Sequence, residues 1–223
     1  MPRRTGRPRT AGASPTGRGT REDILHAGAR LFCTVGYGST STHALAEVAG
    51  VRQATLYHHF PGKHAVLLEL LLGTVQPSLD AARALLAGDE PAPARLWALC
   101  AGDVRLLRAG EDNLGALYLL PELDDERFAP FHDRRAELEA AYRALVAACG
   151  VPADDVVRTA ALVLGLVESV ILQRRRAPGT LDDRTADVVA DAALALVGLE
   201  PAHRAAHAGT GRRLAAPAPA AAD

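Results

Sequence analysis

Residues 41–63 read STHALAEVAGVRQATLYHHFPGK, and their spacing decides the fold. Ser41 can cap a helix, because its hydroxyl can accept from a backbone N–H one turn ahead. Behind it, Leu45, Ala46 and Ala49 share one face of a short segment from Thr42 to Ala49. Gly50 follows where the chain must turn, a position that asks for positive φ, and Val51 turns inward. A second short helix is expected from about Gln53 to His59, stopped by Pro61-Gly62. With Leu56 and Phe60 packed on the first helix, the second is locked at a fixed angle. Arg52, Gln53, Thr55, His58 and His59 are then free to point outward. Two short helices joined by a glycine turn, the second polar outside, make a helix-turn-helix. An α-helix fits the major groove of B-DNA, where Arg, Gln, Thr and His can meet base edges or phosphates.

Working outward, the same logic extends in both directions. A helix opens at Thr20, read as its N-cap, with Glu22 and Asp23 in the first turn and Ile24, Ala27, Leu31 and Phe32 on one apolar face. Gly36-Tyr37-Gly38 ends it. A long helix starts near Lys63, burying Val66, Leu67, Leu70 and Leu71. Further helices are expected near 77–88, 92–109, 112–120, 125–149, 153–176 and 181–198, separated by glycine and proline punctuation. No stretch alternates like a strand for long. The expected fold is all-α: an N-terminal three-helix helix-turn-helix head and a helical-bundle body.

The 223 residues carry a net charge of −1, which at face value argues against a nucleic-acid partner. That total is a cancellation. Residues 1–67 hold nine basic side chains and three acidic ones, a net +6, which leaves −7 for the remainder. Five of those nine (Arg3, Arg4, Arg7, Arg9 and Arg18) lie in residues 1–19, which contain no acid and are expected to be a disordered basic arm. Residues 202–223, ending APAPAAAD, are expected to be a disordered tail. The three cysteines, Cys33, Cys100 and Cys149, are odd in number and far apart, so they suggest structural thiols in a reducing cytoplasm, not a disulfide or metal framework. No apolar stretch follows Arg3-Arg4, and the later apolar runs are short and interrupted, so neither a secretory leader nor a membrane span is expected. Arginine outnumbers lysine 24 to one, the mark of a GC-rich, bacterial genome.

The segment TREDILHAGARLFCTVGYGSTSTHALAEVAGVRQATLYHHFPGKHAVLLELL, residues 20–71, resembles the DNA-binding head of the TetR family of bacterial transcriptional regulators. Its motif occupies about 42–61, and the run from Gly50 to Lys63 carries most of the likeness. By that resemblance Ser41 or Thr42 grips a phosphate, Gln53, Ala54 and Thr55 touch base edges, Tyr57 and His58 contact the DNA backbone, and Lys63 meets a phosphate. Arg52 departs from the small hydroxyl residue common at its position; a long cation caps poorly but can reach a phosphate or a guanine edge. Adjacent histidines on a helix diverge by about 100°, which argues against a metal at His58-His59.

The resemblance also implies that residues 72–201 form a ligand-binding and dimerisation domain. The apolar segments 153–176 and 181–198 exceed what one core needs, and the resemblance implies that they pair with a second copy as a four-helix bundle, giving a homodimer expected to read a near-palindromic operator. With aromatics at 4%, Trp97, Tyr118, Phe128, Phe131 and Tyr142 stand out; together with Cys100, Asp103, His132 and Glu168 they form the candidate lining of a pocket for an unidentified small molecule. The expected activity is a cytoplasmic repressor released from DNA by that effector, with no cofactor. Two rival readings are an architectural or non-inducible DNA-binding protein and a helical metal-dependent enzyme built on Glu122, Asp124, Asp125, Glu126, His132 and Asp133. The enzyme reading lacks paired Glu-x-x-His motifs, since only Glu200 and His203 have that spacing, and it lacks a phosphate loop or nucleophile elbow.

Overall fold

The computed structural model describes residues 14–215. Residues 1–13 of the expected arm and 216–223 of the expected tail lie outside the described part. Among the described residues there are helices and no strands: α1 (Thr20–Thr34), α2 (Thr42–Val48), α3 (Gln53–His59), α4 (Lys63–Ala87), α5 (Ala92–Arg108), α6 (Ala129–Ala148), α7 (Ala153–Arg176), α8 (Thr185–Leu196) and α9 (Pro201–Leu214). Short 3₁₀ turns cover Leu114–Leu119, Pro121–Asp124, Glu126–Phe128 and Pro178–Thr180. The fold is all-α, with α1–α3 and the start of α4 packed as a head and the remaining helices as a bundle.

Several boundaries differ from the spacing-based expectation, each for a tertiary reason. No helix starts at 77, because α4 runs unbroken through Pro77. Proline in a helix interior costs about 3 kcal/mol, but Leu71, Val75, Leu79 and Ala82 bury one stripe on both sides of it and keep the two halves in line. By length and composition alone α4 could span a bilayer. Here it is a core helix, packed on α1, α5 and α6. Residues 112–120 coil as a 3₁₀ segment, where Gly115 sits so close to Ile171 that a Cβ would come within 2.7 Å of its Cγ1. α6 begins at Ala129 and α8 at Thr185, each several residues later than expected.

Both ends of the described chain are more ordered than composition suggests. The N-cap of α1 is Gly19, so Thr20 is its first helical residue. Buried Asp23 gathers the chain before it: its carboxylate accepts from the Ser14 hydroxyl at 2.7 Å, the Thr16 hydroxyl at 2.7 Å and the Thr16 amide at 2.9 Å. At the other end, α9 occupies residues expected to be a tail. Ala208 and Gly211 are buried, and a Cβ on Gly211 would lie 2.6 Å from Trp97 Cε3. Arg212 stacks on the Trp97 ring at 5.3 Å and its Nε donates to Asp187 at 2.7 Å. An alanine- and glycine-rich helix therefore supplies the smooth wall that a large indole needs.

Candidate nucleic-acid interface

Three layers of buried side chains aim α3. Leu45, Ala46 and Ala49 of α2, Val51 in the turn, and Leu56 and Phe60 of α3 are all buried, together with Ile24, Ala27 and Phe32 of α1 and Val66 and Leu67 of α4. Gly50 has φ 67°, the left-handed conformation that its place between α2 and α3 requires. The Ser41 hydroxyl accepts from the Ala44 amide at 3.1 Å, capping α2. Arg52, Gln53, Ala54, Tyr57, His58 and His59 are exposed, and Thr55 is half-buried. Partial burial, then the neighbouring His58 and Arg21, hold His59 below the ordinary imidazole range.

The polar groups of this face are bonded to one another. The Gln53 side-chain amide donates to Thr42 Oγ1 at 3.1 Å, and Thr42 Oγ1 lies 3.2 Å from the Tyr57 hydroxyl. Lys63, expected at a phosphate, is turned the other way. Its ammonium donates to the carbonyls of Tyr37 at 2.8 Å, Thr40 at 3.0 Å and Gly38 at 3.3 Å, and sits 4.4 Å from the Tyr37 ring centroid. All three of its donors are engaged. Lys63 therefore ties the start of α4 to the turn between α1 and α2, a role that spacing alone could not show because the acceptors are backbone.

In the body, α4, α5, the 114–119 turn, α6 and α7 surround a cavity of about 20 Å³, space for roughly one water. Of the nine residues expected at a pocket, Asp103, Tyr118 and Glu168 line it. The Tyr142 hydroxyl and the Ser78 hydroxyl donate to the Asp103 carboxylate at 2.7 and 2.6 Å. Burial pushes Asp103 up to about 6, with those two hydrogen bonds opposing. Cys100 is buried, and its thiol is pushed well above the ordinary range by burial and then by Asp103. Phe131 packs on Tyr118 at 5.4 Å between centroids. The other three sit elsewhere. Trp97 lies across the bundle, its Nε1 donating to Asp191 at 2.7 Å beneath α9. Phe128 is a buried core residue outside the cavity wall, and exposed His132 pairs its Nε2 with the Leu123 carbonyl at 2.8 Å.

Arg135, outside the candidate lining expected from sequence, faces the cavity and pairs with Glu168. Its signal was present, since it falls on the α6 stripe of Phe131, Leu138 and Tyr142 where a cation is out of place. The Arg135–Glu168 pair also borders a groove of about 340 Å³ between α6 and α7, whose walls include Tyr142, Val157 and Leu164. In the acidic segment, Asp125 is engaged by Arg127 through the backbone amide at 3.0 Å and the guanidinium at 2.7 and 2.8 Å. Among the described residues no group of three or more His, Cys, Asp or Glu side chains is placed to hold a metal.

Residues 24–70 match the family described as bacterial regulatory proteins, tetR family. The crystal structure of AmtR from Mycobacterium smegmatis superimposes with a TM-score of 0.81 at 46% identity, over 93% of this chain and all of that one. The chain belongs to the TetR family of bacterial regulatory proteins. A second TetR-family likeness is to the HTH-type transcriptional repressor KstR2 of Rhodococcus jostii, 32% identical over 81 residues. That match takes in 36% of this chain and spans 40% of the length of that curated relative. The KstR2 structure from Mycobacterium tuberculosis, at 20% identity and a TM-score of 0.68, shares the fold. The TetR-type region matched, 24–70, contains the α2–turn–α3 unit.

Proposed function

We propose that this TetR-family protein is a homodimeric, DNA-binding transcriptional repressor, released from a near-palindromic operator by a small molecule. One observation carries the DNA-binding part: a polar, exposed α3 ridge is fixed by a buried apolar base, so its side chains can enter a major groove without reorganising the head. In this reading Arg52, Gln53, Ala54 and Thr55 approach bases, Ser41, Tyr57 and His58 approach the backbone, and the arginines of the N-terminal arm add sequence-independent attraction. Residues 20–71 act as the head and 72–201 as the body, working in the bacterial cytoplasm where the DNA is.

Dimerisation is supported by apolar side chains left in solvent on α7 and α8. Val157, Leu172, Val188 and Leu196 are 66%, 46%, 59% and 44% exposed, and each helix gathers its pair on one face with small residues such as Ala161, Gly165 and Ala192. Pairing through those faces presents two copies of α3 to half-sites related by a two-fold axis. Effector control is supported by the Arg135–Glu168 pair. Both of its side chains line the 20 Å³ cavity and the 340 Å³ groove, so parting the pair would open the cavity toward a groove already within the usual range of about 300–1,000 Å³. A ligand that pairs with Arg135 or Glu168 would favour the parted state and, through Ser78 on α4, reach the helix that carries the head. The test is a mobility-shift assay with DNA from upstream of the gene, at low salt. A retarded complex supports the reading, and no complex with any neighbouring promoter overturns it.

A further inference from the structure

The side chains offered to DNA are not independent, and Thr42 is the reason. It is the first residue of α2, half-buried, and its hydroxyl reaches across the turn to two residues of α3 one helical turn apart, Gln53 and Tyr57. The Gln53 Nε2 to Thr42 Oγ1 distance is 3.1 Å and the Thr42 Oγ1 to Tyr57 Oη distance is 3.2 Å. Ser41, the neighbouring hydroxyl, is committed to capping α2 and makes no such link.

Counting donors and acceptors gives the consequence. A glutamine amide has two N–H donors and one carbonyl. One N–H of Gln53 goes to Thr42, which leaves one N–H and the carbonyl at its outer edge. That remaining pair complements adenine in the major groove, N–H to N7 and carbonyl to the N6 amino group. Thr42 Oγ1 accepts from Gln53, and its contact with the Tyr57 hydroxyl, in which either oxygen can donate, braces it from the other side. The exposed end of a free glutamine samples many rotamers, and a side chain held before binding loses less freedom on contact.

We propose that Thr42 is a positioning residue for base reading: its hydroxyl, braced by Tyr57, fixes Gln53 for a bidentate adenine contact. This rests on the DNA-binding reading above. It also departs from the expectation that Ser41 or Thr42 grips a phosphate, by giving Thr42 another task.

Half-site selection from randomised DNA, followed by measured affinities for single-base operator variants, separates the possibilities. The wild-type chain is expected to prefer adenine at one position of each half-site. Gln53→Met should lose that preference, since it keeps the stem and removes the amide. Thr42→Val keeps the shape and should lower the adenine preference about tenfold while leaving affinity for non-adenine variants and the thermal midpoint nearly unchanged. Thr42→Ser should restore it. An adenine preference kept in Thr42→Val, or a uniform loss of affinity across all variants, overturns the proposal. Binding without any base preference at α3 in the wild type also overturns it and leaves the DNA-binding reading standing, whereas no binding at all removes that reading first. Should Thr42→Val lower the midpoint substantially, comparison of Thr42→Ser with Thr42→Ala decides: equal adenine preference in both contradicts the proposal.

Discussion

Replacing Lys63 by methionine separates two roles that one residue type can play. A lysine at a phosphate leaves stability alone and weakens binding to every sequence. The observed lysine holds the α1–α2 turn. Two of its three carbonyl contacts are short, 2.8 and 3.0 Å, and hydrogen bonds to a charged group contribute about 1.5–3 kcal/mol each. The Tyr37 ring at 4.4 Å adds about 0.5–1 kcal/mol. Against these stands about 2 kcal/mol of rotamer freedom that the side chain regains when released. The net loss is about 2–3 kcal/mol, because the vacated carbonyls can take up water. For a chain of this length that corresponds to a midpoint lower by roughly 4–12 °C. Lys63→Met is therefore expected to melt earlier by that amount in circular dichroism, while the slope of log affinity against log salt stays at the wild-type value below the new midpoint. An unchanged midpoint with a slope shallower by about 0.9 would refute the reasoning and return Lys63 to the phosphate.

Other consequences follow from contacts in the body and at the two ends. Asp103 has a folded-state pKa raised from 3.8 to about 6, so the folded chain binds its proton more tightly than the unfolded chain does. The contribution of Asp103 to stability is therefore fully present below pH 4, falls as pH rises through the window from about 4 to 6 by an amount on the order of 3 kcal/mol, and is flat above it. Asp103→Asn should remove that fall from urea denaturation curves, and a variant with the wild-type pH profile would contradict it. Gly211→Ala drives a methyl into the Trp97 ring and the Ala94 carbonyl, at 2.6 and 3.1 Å, and should cost about 1–2 kcal/mol; the emission of this lone tryptophan should shift to the red as α9 lifts. Gly209→Ala, with no atom within 4 Å, should be neutral or stabilising, and equal behaviour of the two variants would count against a packed α9. Removing residues 1–18 strips Ser14 and Thr16 from buried Asp23 and should cost about 1–3 kcal/mol, read by differential scanning calorimetry; an unchanged midpoint would contradict it.

The head was legible because its signals are local. A hydroxyl at Ser41 caps α2, Gly50 adopts the positive φ that its place demanded, and the apolar spacing from Leu45 to Phe60 names the buried face. What sequence could not show depends on residues far apart in the chain. Pro77 reads as a helix stop until the buried stripe on either side is seen to hold it. The segment 201–214 reads as a tail because its apolar content is low, yet its small residues match the flat indole of Trp97, more than a hundred residues earlier. That same contact removes Trp97 from the expected pocket. Lys63 matched the family's pattern and still faces backbone carbonyls, which leave no mark in a sequence. The cavity was half legible: Asp103, Tyr118 and Glu168 stood out by chemistry, while Arg135 lay unnoticed within an apolar stripe.

The central claim is that two copies of α3, fixed by their heads, meet one operator. Hydroxyl-radical footprinting of the full-length chain on its selected operator tests this most directly. Two protected patches related by a two-fold axis, about one or more helical turns apart, are expected, both lost together when Val157 and Val188 are changed to glutamate. A single unsymmetrical patch, or uniform protection along the DNA, would contradict it.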